Sequence, residues 1–227
     1  MTRKRSTEPP SLPAPCLEGP HRDAVRHLAA ADPRLVPWIA RAGACALPPP
    51  TRPAEDHLYE GLIEAVVSQQ LSGKAAATIA GRVRALGEGG RLPAPAALAA
   101  LDDATLRSAG LSGAKTASVK DLAARVAAGT LQLGDLGALD DEEVVERLVA
   151  VRGIGRWTAQ MALMFRFGRS DVLPVADLGV RKGAMRLTRG RELPDAARLE
   201  RIARPWRPFR SVACWYLWRI AEAKDPP

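Results

Sequence analysis

From Glu55 onward the apolar residues of this 227-residue chain return every three or four positions, and no segment of four to eight residues combines β-branched enrichment with strict alternation. Leu58, Leu62, Ile63, Val66 and Val67 make one stripe, and Ile79, Val83 and Leu86 a second. Val119, Leu122 and Val126 make a third, and Val144, Val145, Leu148 and Val149 a fourth. A shorter set, Ala24, Val25, Leu28, Leu35, Val36 and Ile39, precedes them. A 3.6-residue period buries one face of a helix, whereas a half-buried strand needs a period of two. The many alanines favour helix further. The spacing therefore predicts an all-α protein. Asp140 and Glu143 have the form of a capping box, and Gly110, Gly129 and Gly153 sit where helices should end.

Residues 1–20 are rich in proline and lack an apolar period, so they read as a mobile tail ahead of a folded body over residues 21–227. A second proline cluster, Pro48 to Pro50 with Pro53, separates a short helical segment from the main body. No apolar run has the length of a membrane span or the position of a signal peptide, so a cytoplasmic, nucleoid-associated protein is expected. The three cysteines, Cys16, Cys45 and Cys214, are far apart, and the three histidines show no ligand spacing. Neither a disulfide framework nor a transition-metal site finds its ligands, and no cofactor is required.

The charge is unevenly placed. Between residues 181 and 219 stand eleven basic against three acidic side chains, a surplus of +8 that equals the net charge of the whole chain. The remaining residues balance. Arginine far outnumbers lysine, which a coding bias would explain, but such a bias does not confine the surplus to one segment. An anionic partner such as nucleic acid is implied.

The segment from Leu148 to Ala159 joins an apolar helix end, a Gly153-Ile154-Gly155 turn and the start of a second helix at Arg156, Trp157 and Thr158. Two glycines allow a tight reversal and let another molecule approach the backbone. The unpaired N–H groups opening the next helix can then bind phosphate oxygens. Taken alone, the segment could equally be an ordinary helical hairpin. GLSGAKTA (110–117) looks like a related turn-helix unit.

Four blocks carry a resemblance to a known family: LIEAVVSQQLSGKAAATIAGRV (62–83), LVAVRGIGRWTAQMAL (148–163), DVLPVADLGVRKG (171–183) and, more weakly, RPWRPFRSVACWYLW (204–218). With their spacers they cover roughly residues 21–220. The chain resembles the helix-hairpin-helix DNA glycosylases, and among them the alkylbase group, DNA-3-methyladenine glycosylase II. The resemblance implies two helical lobes with a cleft holding the active site between them. One lobe would span roughly 62–165, and the other would combine the N-terminal helices with the C-terminal segment. It implies that Asp177 is catalytic. A fixed carboxylate stabilises the oxocarbenium-like charge that builds on the deoxyribose as a base–sugar bond breaks, and it can orient the attacking water. Asp177 could also be a plain N-cap of the helix that follows, and the two roles are compatible.

Bifunctional members of the family carry a lysine in the second half of the hairpin, where this chain has Trp157. The resemblance therefore implies a monofunctional enzyme that uses water and leaves an abasic site. By position Trp157 and Trp218 match pocket residues that would stack on a cationic alkylated purine, although core packing is the competing reading. Met161, one turn after Trp157, stands where some relatives have tyrosine, which implies a wider pocket. Gln70, with Leu71 next, matches the residue inserted into the gap left by a flipped nucleotide. An amide pair satisfying buried backbone groups would explain Gln69 and Gln70 as well. The hairpin residues Gly153, Ile154, Gly155, Arg156 and Thr158 would bind DNA. Backbone carbonyls of Val149, Val151 and Ile154 would hold a sodium or potassium ion. The segment before the first block has no room for the β-rich domain of larger bacterial members, so a compact form is expected. The expected activity is hydrolytic removal of alkylated bases, 3-methyladenine and 7-methylguanine among them, from damaged double-stranded DNA by a monomer. A non-catalytic helix-hairpin-helix module, or a glycosylase of this fold for oxidised or mismatched bases, stands as the alternative.

Overall fold

A computed structural model describes residues 12–225. In chain order its helices are α1 (Arg22–Ala31), α2 (Val36–Ala42), α3 (Glu55–Ser68), α4 (Gly73–Arg84), α5 (Pro95–Ala100), α6 (Asp103–Ser108), α7 (Gly113–Ala127), α8 (Asp141–Val149), α9 (Arg156–Phe165), α10 (Leu178–Leu187), α11 (Ala196–Ala203) and α12 (Arg210–Glu222). Short 3-10 turns fill several joints, and no strand occurs among the described residues, as the apolar spacing required. None of the described helices is long and apolar enough to cross a membrane.

Half of the helix starts are set by a capping side chain. Ser72, Asp102, Ser112, Asp177 and Asp195 accept a hydrogen bond from an N–H in the first turn of α4, α6, α7, α10 and α11, satisfying a donor that the helix itself leaves unpaired. Asp140 and Glu143 close the expected capping box on α8. Gly110 and Gly129 follow α6 and α7 with positive φ, as helix-ending glycines do. Gly153 does not: α8 stops four residues earlier, at Val149. Val149, counted in the fourth stripe, is 41% exposed, because Val151 and Ile154 in the turn take over the burial.

The chain forms two units, one spanning Thr51–Phe167 and the other joining the segment up to Pro50 to that from Gly168 onward. The first boundary falls within the expected proline cluster. In the Thr51–Phe167 unit, α3 is the central helix, burying Leu58, Leu62, Ile63, Val66 and Val67 and touching α4, α7 and α9. Each such side chain contributes about 1.5 to 3 kcal/mol when removed from water.

In the other unit, α10 and α12 make the tightest helix pair, crossing at Gly183, where a Cβ would stand 2.1 Å from the Leu217 carbonyl oxygen. Only glycine permits that approach. Trp206, fully buried, donates its indole N–H to Asp32 Oδ2 at 3.0 Å, and Asp32 also pairs with Arg34 at 2.8 Å. The tail expected over residues 1–20 needs correction in its later part. Residues 1–11 lie outside the described part, but Ala14–Leu17 form a 3-10 helix whose Cys16 is buried with its Sγ 3.4 Å from the Ile39 carbonyl. Burial of the Cys16 thiol ties this stretch to α2.

Candidate active site and nucleic-acid interface

In the Thr51–Phe167 unit the expected hairpin forms between α8 and α9. Val151 and Ile154 are buried and pin the turn from below, while Arg152, Gly153, Gly155, Arg156 and Trp157 are exposed. Gly153 has φ 78°, and a Cβ there would meet Ser118 Oγ of α7 at 2.2 Å, so both backbone and space demand glycine. Gly155, by contrast, is extended, with nothing within 4 Å of a Cβ. As the N-cap of α9 it offers no capping side chain, and the N-terminus of a helix favours an anion. Asp121 Oδ2 accepts from the Arg152 N–H at 2.8 Å and from Arg125 Nε at 2.9 Å, fixing the turn to α7. Arg156 is held by Glu142 of α8 through two bonds of 2.6 and 2.5 Å, and this pairing keeps the Glu142 carboxyl below its usual range.

Two residues of the expected DNA-binding set, Thr158 and Ile154, have buried side chains. Thr158 is 6% exposed, with its Oγ1 3.5 Å from Gln69 Nε2, and Ile154 is 3% exposed. Both sit on the face that packs against the unit's core, so only their backbone can reach a partner. The hollow beside the turn, about 460 Å³, is lined by Asp121, Arg125 and residues 149–155. Of the carbonyls expected to hold a cation, that of Val151 already accepts the Ile154 N–H at 3.1 Å, which leaves it one lone pair.

The amides after α3 divide the two readings between them. Gln70 is exposed and takes the left-handed conformation, φ 56°, which is uncommon for a non-glycine residue and lifts its side chain clear of the turn. Leu71 beside it is 38% exposed. Gln69 satisfies backbone: its Nε2 donates to the Gly153 carbonyl at 2.9 Å. The sequence offered this role for the pair without dividing it, because nothing local distinguishes the two glutamines.

On α9, Trp157 is 45% exposed and Met161 half-buried, and Phe165, also exposed, follows at the same helical spacing. Phe165 was not expected, although counting one further turn of the stripe would have found it. Met161 and Phe165 line a pocket of about 500 Å³ with Gly61, Ala65, Glu64 and Arg166. Arg166 donates to Glu64 at 2.9 Å, and Glu64 also pairs with Arg84.

In the other unit, Asp177 ends the Pro174–Asp177 turn, with its N–H donating to the Pro174 carbonyl at 2.9 Å. Its side chain is 9% exposed. Oδ1 accepts from the Val180 N–H at 2.7 Å and from the Trp218 indole N–H at 2.9 Å. The N-cap role is therefore real, and a second donor has been added to it from α12. Gly179 makes room for that donor, since a Cβ there would lie 2.6 Å from Trp218 Cδ1. The loop into Asp177 is tied down at its start. The Asp171 carboxylate takes four bonds from Arg210 and Arg207, and Ser211 Oγ accepts from the Val172 N–H at 2.9 Å and donates to the Arg169 carbonyl at 2.6 Å. Burial, reinforced by the nearby Asp177 carboxylate, pushes the Cys214 thiol up, and burial raises Cys45 to about 11, so neither is a ready nucleophile.

Residues 63–208 match the model of the HhH-GPD superfamily base excision DNA repair proteins. The DNA-3-methyladenine glycosylase 1 of Schizosaccharomyces pombe is 37% identical over 168 residues, 74% of this chain and 74% of that protein. The solved structure of the S. pombe 3-methyladenine DNA glycosylase in complex with abasic DNA superimposes with a TM-score of 0.74 at 33% identity, covering 90% of this chain and 99% of that one. A DNA-3-methyladenine glycosidase from Bacillus halodurans also gives 0.74, at 38% identity, covering 88% and 89%. A match that takes in both the hairpin and the Asp177 loop, supported by relatives at this identity and coverage, leaves one assignment: the chain belongs to the HhH-GPD superfamily of base excision DNA repair proteins.

Proposed function

We propose that the protein is a monofunctional DNA glycosylase that hydrolyses the base–sugar bond of alkylated bases, 3-methyladenine and 7-methylguanine among them, in double-stranded DNA. The observation that carries this reading is Asp177, a nearly buried carboxylate whose Oδ1 is held by the Val180 N–H and the Trp218 indole. A charge so fixed needs no reorganisation when positive charge develops on the sugar. The C1′–N bond breaks with its electron pair leaving on the base, which neutralises the positive charge of an N3- or N7-alkylated purine. A water oxygen then bonds to C1′, and its proton passes to the Asp177 carboxylate or to solvent. Trp157 stands where a lyase would need an amine, and Lys115 is occupied by two backbone carbonyls, which favours water as nucleophile.

The hairpin turn and the N-terminus of α9 would grip phosphates without reading sequence, and Gln70, with Leu71, would fill the gap left by an extruded nucleotide. Trp157 and Met161 would offer a polarizable surface to a cationic base; Trp218, in the other unit, holds Asp177 through its indole N–H and carries a ring of the kind that stacks on such bases. Carbonyl oxygens of Val149, Val151 and Ile154 suit a sodium or potassium ion, which would add positive charge beside the phosphates.

Incubation with methylated duplex DNA, followed by chromatography of the released bases, tests the proposal. Free 3-methyladenine or 7-methylguanine, together with an abasic strand that stays intact without alkali, is the expected product. Asp177→Asn should lower release by about 100-fold or more while leaving duplex binding equal or tighter. Near wild-type release by that variant would move the chemistry to another residue.

A further inference from the structure

Lys115 stands third in α7, and its half-buried side chain brings the ammonium to the end of α3. There it donates to the carbonyls of Val67 and Gln69, both at 2.7 Å. These oxygens belong to the last turn of α3 and its cap, where a helix leaves acceptors unpaired and where its dipole favours a cation. The next residue, Gln70, is the one in the left-handed conformation. Gln69, between them, donates its own amide to the Gly153 carbonyl of the hairpin at 2.9 Å. One ammonium and one amide thus connect α7, the end of α3 and the hairpin.

We propose that Lys115 and Gln69 are positioning residues that lock the Gln70–Leu71 turn to the phosphate-gripping hairpin, so that backbone binding by the hairpin sets the register at which the turn enters the duplex. The proposal rests on the glycosylase reading above, since it assigns an insertion role to Gln70 and Leu71. Its chemistry is independent of the identity of the damaged base. Two carbonyls converging on one ammonium oppose the drift of a loop whose left-handed residue is otherwise costly to hold. The Gln69 amide transmits any shift of Gly153 to the turn within a single hydrogen bond.

The test compares binding of two duplexes of one sequence by fluorescence anisotropy, one undamaged and one carrying a tetrahydrofuran abasic analogue, so that only the second presents a gap to fill. Lys115→Met should reduce the preference for the gapped duplex by about tenfold, as the loss of one or two charge-assisted hydrogen bonds predicts, with undamaged affinity held within about twofold. Lys115→Arg should restore most of the preference, because a guanidinium can also donate to two carbonyls. Gln69→Glu, nearly isosteric, sets a carboxylate oxygen against the Gly153 carbonyl and should reproduce the defect even if Lys115→Met fails to fold. Unchanged preference in Gln69→Glu, or a parallel loss on both duplexes with a lowered melting temperature, would overturn the lock. A wild-type protein without any preference for the gapped duplex would instead sink the insertion role itself, and methylated-DNA product analysis tells that failure from a failure of the glycosylase reading.

Discussion

The Trp218 indole N–H on Asp177 Oδ1 separates two functions of one side chain that stacking arguments merge. Trp218→Phe keeps a ring of similar place but deletes the donor, so base release should fall by roughly tenfold for charged and neutral substrates alike. A pure stacking role predicts that phenylalanine largely suffices and that any loss falls mainly on the charged methylpurine. Single-turnover excision of one charged and one neutral lesion decides between them. The two hairpin glycines also part company. Gly153→Ala meets both a positive φ and the Ser118 hydroxyl, and should destabilise the fold by about 1 to 3 kcal/mol. Gly155→Ala has neither obstacle, so its thermal melt should match wild type while duplex binding weakens, because the methyl group stands where phosphates would approach. A lowered melt for Gly155→Ala would mean that the turn is more tightly packed than its open surroundings indicate.

At the scale of elements, α8 and α9 do more than present a turn. Glu142, in the first turn of α8, holds Arg156, in the first turn of α9, by a bidentate pair on the surface. Arg156 keeps the Glu142 carboxyl below its ordinary range, so the pair persists at neutral pH and is lost only as the pH falls through that lowered value. A phosphate that recruits Arg156 must therefore displace a carboxylate. Glu142→Gln should tighten binding to any duplex a few-fold, and the gain should shrink as salt is raised, since exposed pairs are screened. Titration at low and at high ionic strength measures both. An affinity unchanged at low salt would show that Arg156 does not meet DNA.

For the whole molecule the charge surplus resolves into two populations. Arg181 and Arg186 donate to backbone carbonyls, Arg207 and Arg210 hold Asp171, and Arg219 lies over the Trp215 ring at 3.7 Å. Lys182, Arg189, Arg191, Arg198, Arg201 and Arg204 remain exposed on α10, α11 and the segments that follow each of them. Neutralising Arg198 and Arg201 together should lower the slope of log affinity against log salt by up to about two while sparing the melt. Arg210→Ala should do the reverse, costing about 2 kcal/mol of stability through the stranded Asp171 with little change in slope. Salt-dependent binding and calorimetry on both variants check the division, and equal slopes throughout would return the exposed cations to a solvating role.

What the sequence by itself determined are the properties carried by neighbours three or four positions apart. Helix class, the capping box of Asp140 and Glu143, the glycine turn of the hairpin and the N-cap at Asp177 all follow from side chains acting on their own backbone or on the next turn. Tertiary structure decided the rest, because the partners lie far along the chain. Trp218 reaches Asp177 across 41 positions and Lys115 reaches Gln69 across 46, distances at which no period or spacing carries information. It also decided direction. The hairpin motif reads the same whether Thr158 and Ile154 face outward or inward, and two adjacent glutamines look alike until packing turns Gln69 toward Gly153 and leaves Gln70 exposed. Local chemistry selects the elements, whereas which face of each element is buried, and against what, depends on long-range packing that only the folded chain specifies.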